Sequence, residues 1–269
     1  MRQKHFGAPS ISIYKINRYL RTMKLNTLFI LPIVLICGCQ QQSQQKIVPQ
    51  ADTLVSVEVN TIPSKPIKSE LAQKLDSLGF INIAEADSTI LIDLIYTRSD
   101  NFTGEVLYET LREAYLHPLA MESLLKANQL LKAKQPNYSL LVLDAARPMS
   151  IQKRMWDKVK GTPNNIYVSN PNKGGGMHNY GMAVDITIVD EQGEWLSMGT
   201  GFDHFGIEAH ITNEDELLKE GKITNEERLN RVLLRSIMQE AGFIPLYNEW
   251  WHFNRLERAE TIANYKLIE

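Results

Sequence analysis

The chain has 269 residues, of which 43% are hydrophobic and 22% charged, and this composition is typical of a globular protein with one sizeable core. Its formal net charge of −2 gives no sign of a strongly basic protein, so we expect neither a nucleic acid partner nor electrostatic attraction to an anionic membrane.

The first predicted element is a signal peptide. An almost entirely apolar run over residues 28–38 is too short to span a bilayer. It ends in Gly38-Cys39, a small residue before a cysteine, as in the bacterial lipoprotein box. We therefore expect translation from Met23, a lipid anchor on Cys39 and a periplasmic lipoprotein of the cell envelope. The alternative is a short buried apolar segment with two incidental cysteines.

The chain accordingly divides into three parts. Residues 1–39 are the N-terminal extension and signal peptide, residues 40–68 are a flexible tether rich in Gln, Ser, Thr, Val and Pro, and residues 69–269 are the folded domain. Both cysteines of the chain lie in the first part, so packing and not a disulfide framework must stabilise the domain.

Helices and strands alternate irregularly along the domain. Leucines at helical spacing, β-rich runs and capping residues predict the order of elements. The predicted elements are a helix from Ser69 to Gly79, a strand from Ser88 to Tyr96, a helix from Pro118 to Gln135, a strand from Ser139 to Leu143, a helix from Ser150 to Lys160 capped by its serine, a strand from Ala183 to Val189, a helix from Glu226 to Ala241 and a strand-like run from Ile244 to Phe253. This order indicates an α+β fold with a largely antiparallel sheet flanked by helices.

The first group of chemically informative residues spans His178 and Asp185. His178 leaves a glycine-rich loop, and Asp185 is the third residue of an apolar strand. A buried carboxylate on such a strand costs several kcal/mol unless it is paired, hydrogen-bonded or bound to a cation. One histidine and one carboxylate suit zinc, and a third nitrogen ligand would leave a coordination position open for water. His252 is the best candidate for that ligand.

The second group is Glu249-Trp250-Trp251-His252. Metal-activated hydrolysis needs a base beside the attacking water, and Glu249 is close in sequence to the candidate ligand. Residues three apart on a flat strand point to opposite faces, so a twist or bulge at the tryptophans is needed to bring both side chains together. The two tryptophans would form an apolar wall that excludes water from the site.

The third group is Asp144 to Pro148, at the end of a buried strand. Arg147 offers a fork of donors that can stabilise an oxyanion or bind a substrate carboxylate, and Asp144 can hold that guanidinium in place. Each residue taken alone has an ordinary alternative: a hydrogen-bonded surface histidine, a capping aspartate, a packed aromatic histidine or a strand-end arginine. Three further histidines are predicted to be structural or exposed and not ligands: His117, His204 and His210.

Together these residues resemble the zinc D-Ala-D-Ala peptidases. The pattern of that group is His, six residues, Asp, then Glu-x-x-His, and here it is met by His178, Asp185, Glu249 and His252. Further segments are similar to the VanX-type D-alanyl-D-alanine dipeptidases in particular: residues 96–104, 144–148, 198–203 and 230–238. The resemblance covers the chain from about Asp76 onward.

The resemblance implies a role for each site residue and a fold of the D-Ala-D-Ala peptidase, hedgehog-like type. One zinc ion per chain is held by His178, Asp185 and His252, and Glu249 is the base that activates a zinc-bound water. Arg147 stabilises the transition state. The implied substrate-binding residues are Tyr96 and Asp203, which line the pocket near the free amine, and Asp144 beside Arg147.

The implied activity is hydrolysis of the small dipeptide D-alanyl-D-alanine to two D-alanines, with no obligate protein partner. Alternatives are a D,D-carboxypeptidase or endopeptidase acting on peptidoglycan stem peptides, a non-catalytic lipoprotein that binds cell-wall peptides, and a purely structural metal. Cobalt or manganese could occupy the same ligands. The chain departs from the family at Gly176-Met177, where serines often precede the first zinc histidine, so binding of a carboxylate by a serine side chain there is lost.

Overall fold

The structure is a computed structural model, and it describes residues 68–269. The predicted signal peptide, Cys39 and the predicted tether up to residue 67 lie outside the described residues, so the predictions made for them stay predictions. Within the described range, no helix is both long and apolar enough to traverse a lipid bilayer.

Residues 68–269 contain seven α-helices and seven strands in mixed order. The helices are α1 (Glu70–Ser77), α2 (Ile83–Ala86), α3 (Pro118–Lys134), α4 (Met149–Val159), α5 (Glu214–Lys219), α6 (Asn225–Glu240) and α7 (Arg258–Asn264). The strands are β1 (Ile81–Asn82), β2 (Leu91–Ile92), β3 (Tyr115–Leu116), β4 (Ser139–Asp144), β5 (Ala183–Val189), β6 (Ile244–Leu246) and β7 (Glu249–Asn254). The predicted α+β composition is therefore present.

The main sheet has five strands in the order β2-β4-β5-β7-β6, and β1 pairs with β3 in a separate two-stranded sheet. In the main sheet β4–β5, β5–β7 and β6–β7 are antiparallel, whereas β2 runs parallel to β4. The sheet is mixed, so the prediction of a largely antiparallel sheet was wrong. A parallel pair needs a long crossover, and here the segment between β2 and β4 includes α3.

Helices α3 and α6 pack together against the sheet and share its core. Leu124 and Leu131 of α3 and Leu234 and Ile237 of α6 are completely buried in one cluster with the strand residues. Burial of each such side chain stabilises the fold by about 1.5–3 kcal/mol. The helix α6 begins with a capping box, in which the Thr224 hydroxyl and the Glu227 carboxylate each accept from the other's backbone N–H.

Several predicted elements differ from the observed ones in a way that has a local cause. The serine cap predicted for the helix at Ser150 was wrong, because α4 starts one residue earlier, at Met149, with Pro148 as its N-cap residue. The predicted strand over 88–96 is reduced to β2, followed by a 3-10 turn at Ile95–Thr97. The predicted run over 244–253 is a hairpin of β6 and β7.

Three adjacent strands bring the predicted site residues into one line across the sheet. Asp144 of β4 lies opposite Asp185 of β5, and Asp185 lies opposite His252 of β7. The pairing of β4 with β5 shifts between Val142 and Asp144, which is the irregularity that makes this alignment. The sheet register therefore places two carboxylates and an imidazole side by side.

His178 approaches this line from the 3-10 turn Met177–Tyr180 that leads into β5. Gly181 ends the turn with a φ of 64°, a left-handed conformation that favours glycine. A Cβ at this position would lie 2.3 Å from the Phe80 ring, so the chain can pass here only with a glycine.

Candidate active site

Three ligand-type side chains converge at the end of the sheet. His178, Asp185 and His252 are buried, and one ligand atom from each lies within 4.8 Å of the others. His178 Nε2 lies 3.2 Å from His252 Nδ1 and 3.3 Å from an Asp185 oxygen, and His252 Nδ1 lies 2.9 Å from the other Asp185 oxygen. Within residues 68–269 this is the group able to hold a metal, and His117, His204 and His210 lie outside it.

The hydrogen bonds on the far side of each imidazole fix which nitrogen faces the group. His178 Nδ1 donates to the Ala145 carbonyl at 2.7 Å, and His252 Nε2 donates to the Asn254 side-chain oxygen at 2.7 Å. In a neutral imidazole the other nitrogen then carries a lone pair. Both lone pairs point toward Asp185.

This donor set fits a divalent cation. Two imidazole lone pairs and a carboxylate are all acceptors, and acceptors that face one another without a hydrogen between them repel unless a cation lies among them. Outer partners that fix the tautomer of each histidine, such as the Ala145 carbonyl, are typical of metal-binding histidines. Two nitrogens and one oxygen are the ligand types of a catalytic zinc site.

The electrostatics of Asp185 favour a positive charge beside it. Burial alone would raise the pKa of Asp185, but the charge interaction with His178 and hydrogen bonds from both histidines outweigh burial and hold that pKa below its ordinary value. A cation among the three side chains would favour the ionised carboxylate in the same way.

Glu249 lies beside the ligand group. Its Oε2 is 4.0 Å from His252 Nδ1, and both side chains line the same cavity although they are three residues apart on one strand. The pairing of β6 with β7 shifts between Pro245 and Leu246, which provides the irregularity that the sequence required. Burial raises the pKa of Glu249 to about 8, with the His252 interaction opposing the shift.

Arg147 is held in a buried network behind the cavity. Its Nε donates to Asp144 Oδ2 at 2.8 Å, Nη2 donates to the same oxygen, and Nη1 donates to Gln152 Oε1 at 2.9 Å. Its Nη2 is also 3.7 Å from Asp185. Asp144 and Asp185 are like charges on paired strands, and the guanidinium between them offsets their repulsion.

Asp144 itself is placed behind Arg147 and away from the cavity. It is completely buried and is absent from the residues that line the cavity within the described range. The Tyr108 hydroxyl donates to its other oxygen at 2.8 Å. Both its oxygens accept from protein donors, Arg147 and Tyr108, and its predicted contact with substrate stays a prediction.

Asp203 and Tyr96 face the cavity from another wall. The Tyr96 hydroxyl lies 3.0 Å and 3.2 Å from the two Asp203 oxygens. Burial and then the charge of Asp203 raise the pKa of Tyr96, so its phenol stays protonated and donates. Burial raises the pKa of Asp203 to about 8, and nearby Asp185 adds to the shift.

All of these groups except Asp144 open into one cavity of about 280 Å³. Trp251 lines it, whereas Trp250 turns away and donates its indole N–H to Thr200 at 2.8 Å. Of the two tryptophans predicted to exclude water from the site, Trp251 therefore lines the cavity, and Trp250 fixes the loop that carries Asp203.

Sequence reasoning missed several polar groups of the site. Asn254 could have been found, because residues two apart on a strand share a face and His252 precedes it by two. Gln152, Tyr108, Ser169 and Arg258 carry no comparable signal, since each reaches the site from a segment with no recognisable motif. Their positions follow only from the packing of the chain.

Comparison with known proteins gives one consistent result. The peptidase M15 family model, described as D-Ala-D-Ala dipeptidase, matches residues 76–267. A D-alanyl-D-alanine dipeptidase of Escherichia coli (strain K12) is 32% identical over 193 residues, which cover 72% of this chain and 91% of that protein. D-alanyl-D-alanine dipeptidases of Enterococcus faecium and Enterococcus faecalis (strain ATCC 700802 / V583) are 31% and 29% identical, over 65% and 66% of this chain and 91% and 92% of their own lengths.

Proposed function

Because the chain belongs to the M15 family of D-Ala-D-Ala dipeptidases, we propose that it hydrolyses D-alanyl-D-alanine to two D-alanines at the cavity between β5, β7 and the loop of Asp203. As a member of this family it is a metallopeptidase. The observation that carries the proposal is the convergence of two imidazole lone pairs and a carboxylate beside Glu249 and Arg147.

His178, Asp185 and His252 are the residues that would hold zinc. When bound there, zinc supplies a Lewis acid that polarises a carbonyl and lowers the pKa of water to near neutrality. The remaining steps of the proposed mechanism belong to side chains of this chain.

Glu249 is proposed as the general base. Its carboxylate accepts the proton of the attacking water and then delivers that proton to the amine of the leaving D-alanine. In the metal-free protein burial raises the pKa of Glu249 to about 8, and positive charge on the neighbouring ligand group would favour the carboxylate form that accepts the proton. Trp251 beside it excludes bulk water from the reacting atoms.

Arg147 is proposed to stabilise the oxyanion that forms when water attacks the scissile carbonyl. Asp144, Gln152 and the face of the Tyr96 ring, 5.5 Å from the guanidinium carbon, fix its orientation before substrate binds. Donors that are oriented in advance need no reorganisation during the reaction, and loss of one such donor typically costs about 10²–10³ in kcat.

Asp203 is proposed to bind the ammonium of the dipeptide. An ammonium beside a buried carboxylate favours the ionised form, so substrate binding is expected to deprotonate Asp203. The Tyr96 hydroxyl holds the carboxylate in place. Pairing at this site selects a free N-terminus, which a dipeptide has there and an internal stem residue lacks.

The proposal is tested with purified full-length protein, D-alanyl-D-alanine and added zinc, with D-alanine release as the readout. We expect Glu249→Gln to lower kcat by about 10²–10⁴ with zinc content unchanged, the usual loss when a general base is removed. The exposed Glu240→Gln is the matched control and should behave as wild type.

A pentapeptide stem that ends in D-Ala-D-Ala distinguishes the proposed dipeptidase from the nearest alternative, a D,D-carboxypeptidase. Cleavage of the stem without cleavage of the dipeptide would replace the proposal with a carboxypeptidase. Zinc-loaded, folded protein that cleaves neither substrate would point to a peptide-binding role.

The finer fold assignment and the location of the protein are also proposals. We infer a hedgehog-like arrangement of the domain, supported by the family membership, and a lipid anchor on Cys39, supported by the Gly38-Cys39 box. Growth of expressing cells with a labelled fatty acid should label the wild-type protein and leave Cys39→Ala unlabelled. Equal labelling of the two would contradict the anchor.

A further inference from the structure

The proposed substrate carries a carboxylate at its C-terminus, and an exposed arginine lines the cavity. Two arginines line the cavity, Arg147 and Arg258. Arg147 is engaged by Asp144 through two of its nitrogens. The cationic group left for a substrate carboxylate is therefore Arg258, an inference that rests on the proposed function.

Arg258 is held by neutral acceptors. Its Nη1 donates to the Gly175 carbonyl at 2.6 Å and its Nη2 to the Lys173 carbonyl at 2.6 Å. Among the described ion pairs none includes Arg258, so no described carboxylate lies within 4.0 Å of its guanidinium. A guanidinium has five N–H donors, and the two carbonyls leave it both charged and able to donate further.

Ser169 stands next to this region and occupies the space of a missing side chain. A Cβ built on Gly176 would lie 2.8 Å from Ser169 Oγ and 3.1 Å from Ser169 Cβ. Ser169 and Gly176 both line the cavity. The Ser169 side chain therefore fills the space beside Gly176, and a side chain at position 176 would collide with it.

The backbone of Ser169 is tied to the catalytic network. Its carbonyl accepts from Gln152 Nε2 at 2.8 Å, and the Gln152 oxygen accepts from Arg147. The backbone of Ser169 is therefore fixed relative to the arginine proposed to stabilise the oxyanion. Asp203, on the wall of Tyr96, is fixed by different contacts from those that hold Arg258.

We propose that Arg258 and Ser169 bind the C-terminal carboxylate of the substrate, and that they determine the preference of this enzyme for a free carboxylate. The dipeptide then spans the cavity from Asp203 at its ammonium to Arg258 at its carboxylate.

The test compares D-alanyl-D-alanine with D-alanyl-D-alaninamide, which differs only by the loss of the carboxylate charge. We expect the full-length, zinc-loaded wild type to show a kcat/KM about ten- to a hundredfold higher for the acid, the usual effect of a hydrogen bond to a charged group. Arg258→Met should lose most of this ratio through KM, and Ser169→Ala should lose part of it. Arg258→Lys, which keeps the charge without the fork, should fall between wild type and Arg258→Met.

Arg228→Met is the matched control, since Arg228 pairs with Asp215 outside the cavity. It should keep the wild-type ratio. If Arg258 only braced the loop at Gly175, its substitution would lower kcat/KM for acid and amide alike, and that outcome would overturn the inference. Wild type that cleaves neither compound would overturn the proposed function and this inference with it, whereas an active wild type with an unchanged ratio in Arg258→Met would overturn this inference alone.

Discussion

Asp203 combines an unfavourable backbone conformation with an unfavourable charge. It is the non-glycine residue of the described chain with a positive φ, 59°, a conformation that aspartate and asparagine tolerate better than most residues. It is also a carboxylate whose pKa burial raises to about 8. Such strain is retained at sites where binding of a ligand offsets its energetic cost, and the proposed ligand is the ammonium of the dipeptide.

The raised pKa gives a pH dependence with a definite sign. A carboxyl group with a folded-state pKa of about 8 and an unfolded pKa near 3.8 binds its proton more tightly in the folded state. Its favourable contribution is present below the unfolded pKa and is lost as the pH rises through 8. We expect Asp203→Asn to match wild type near pH 4 and to exceed it at pH 8 by a few kcal/mol in the free energy of unfolding.

Urea unfolding of the substrate-free protein at several pH values measures this difference. Asp100→Asn, at an exposed position, serves as control and should show no such trend. The same Asp203→Asn variant should raise KM for the dipeptide, because its amide carries no charge to pair with the ammonium. A stability difference that is flat between pH 4 and pH 8 would contradict the assigned burial of the carboxylate.

The residues that sequence could identify are those whose chemistry depends on a fixed spacing. His178 lies just before β5 and Asp185 lies near its start, while Glu249 and His252 lie on one strand. Each pair is therefore close enough in sequence to form a recognisable motif. Gln152 and Arg258 act through hydrogen bonds to distant segments. No local pattern encodes those partners, and only the assembled fold brings them to the cavity.

At the scale of elements, the same limit applies to strand pairing. Helices with long amphipathic faces, such as α3 and α6, were predicted within about two residues because their periodicity is local. The parallel pairing of β2 with β4 was missed, because two residues of strand carry almost no periodic signal. The hairpin of β6 and β7 was merged into one strand since its turn at Tyr247-Asn248 is short.

Besides packing against the sheet, helix α6 holds the loop that carries Asp203 in place. Arg231 is buried in the helix, and its Nε donates to the Met198 carbonyl at 2.6 Å while its Nη2 donates to the Glu208 carbonyl at 2.8 Å. These two carbonyls flank the segment that presents Asp203. One side chain thus closes both ends of the loop.

We expect Arg231→Met to lower the free energy of unfolding by about 2–4 kcal/mol, because two buried carbonyls lose charged donors. It should also raise KM for the dipeptide several-fold more than it lowers kcat, since Glu249 and Arg147 are held by other elements. Arg228→Met, on the same helix but paired with Asp215, is the control. Loss of stability without any change in KM would show that the loop keeps its position without Arg231. Urea unfolding and steady-state kinetics on the same preparations provide both readouts.

At the scale of the whole molecule, the ligand group joins parts of the fold that are distant in sequence. His178 belongs to the turn before β5, Asp185 to β5 and His252 to β7, and the two histidines are 74 positions apart in the sequence. Without a cation, two facing lone pairs and a buried carboxylate are held together only by the surrounding structure. An ion bound by all three favours the folded state and has no equivalent site in the unfolded chain.

Zinc should therefore raise the unfolding temperature, and a chelator should lower it. At a free zinc concentration a hundred times the dissociation constant, the expected stabilisation is about 2.7 kcal/mol, and it should grow with the logarithm of zinc concentration. His252→Leu should lose this dependence, while His204→Gln, an exposed histidine outside the group, should keep it. Calorimetric scans over a series of zinc concentrations separate this outcome from nonspecific binding, which would stabilise both variants equally. If zinc does not change the unfolding temperature of the wild type, these three residues do not bind the ion. The repulsion between their facing lone pairs would then have to be offset by another group.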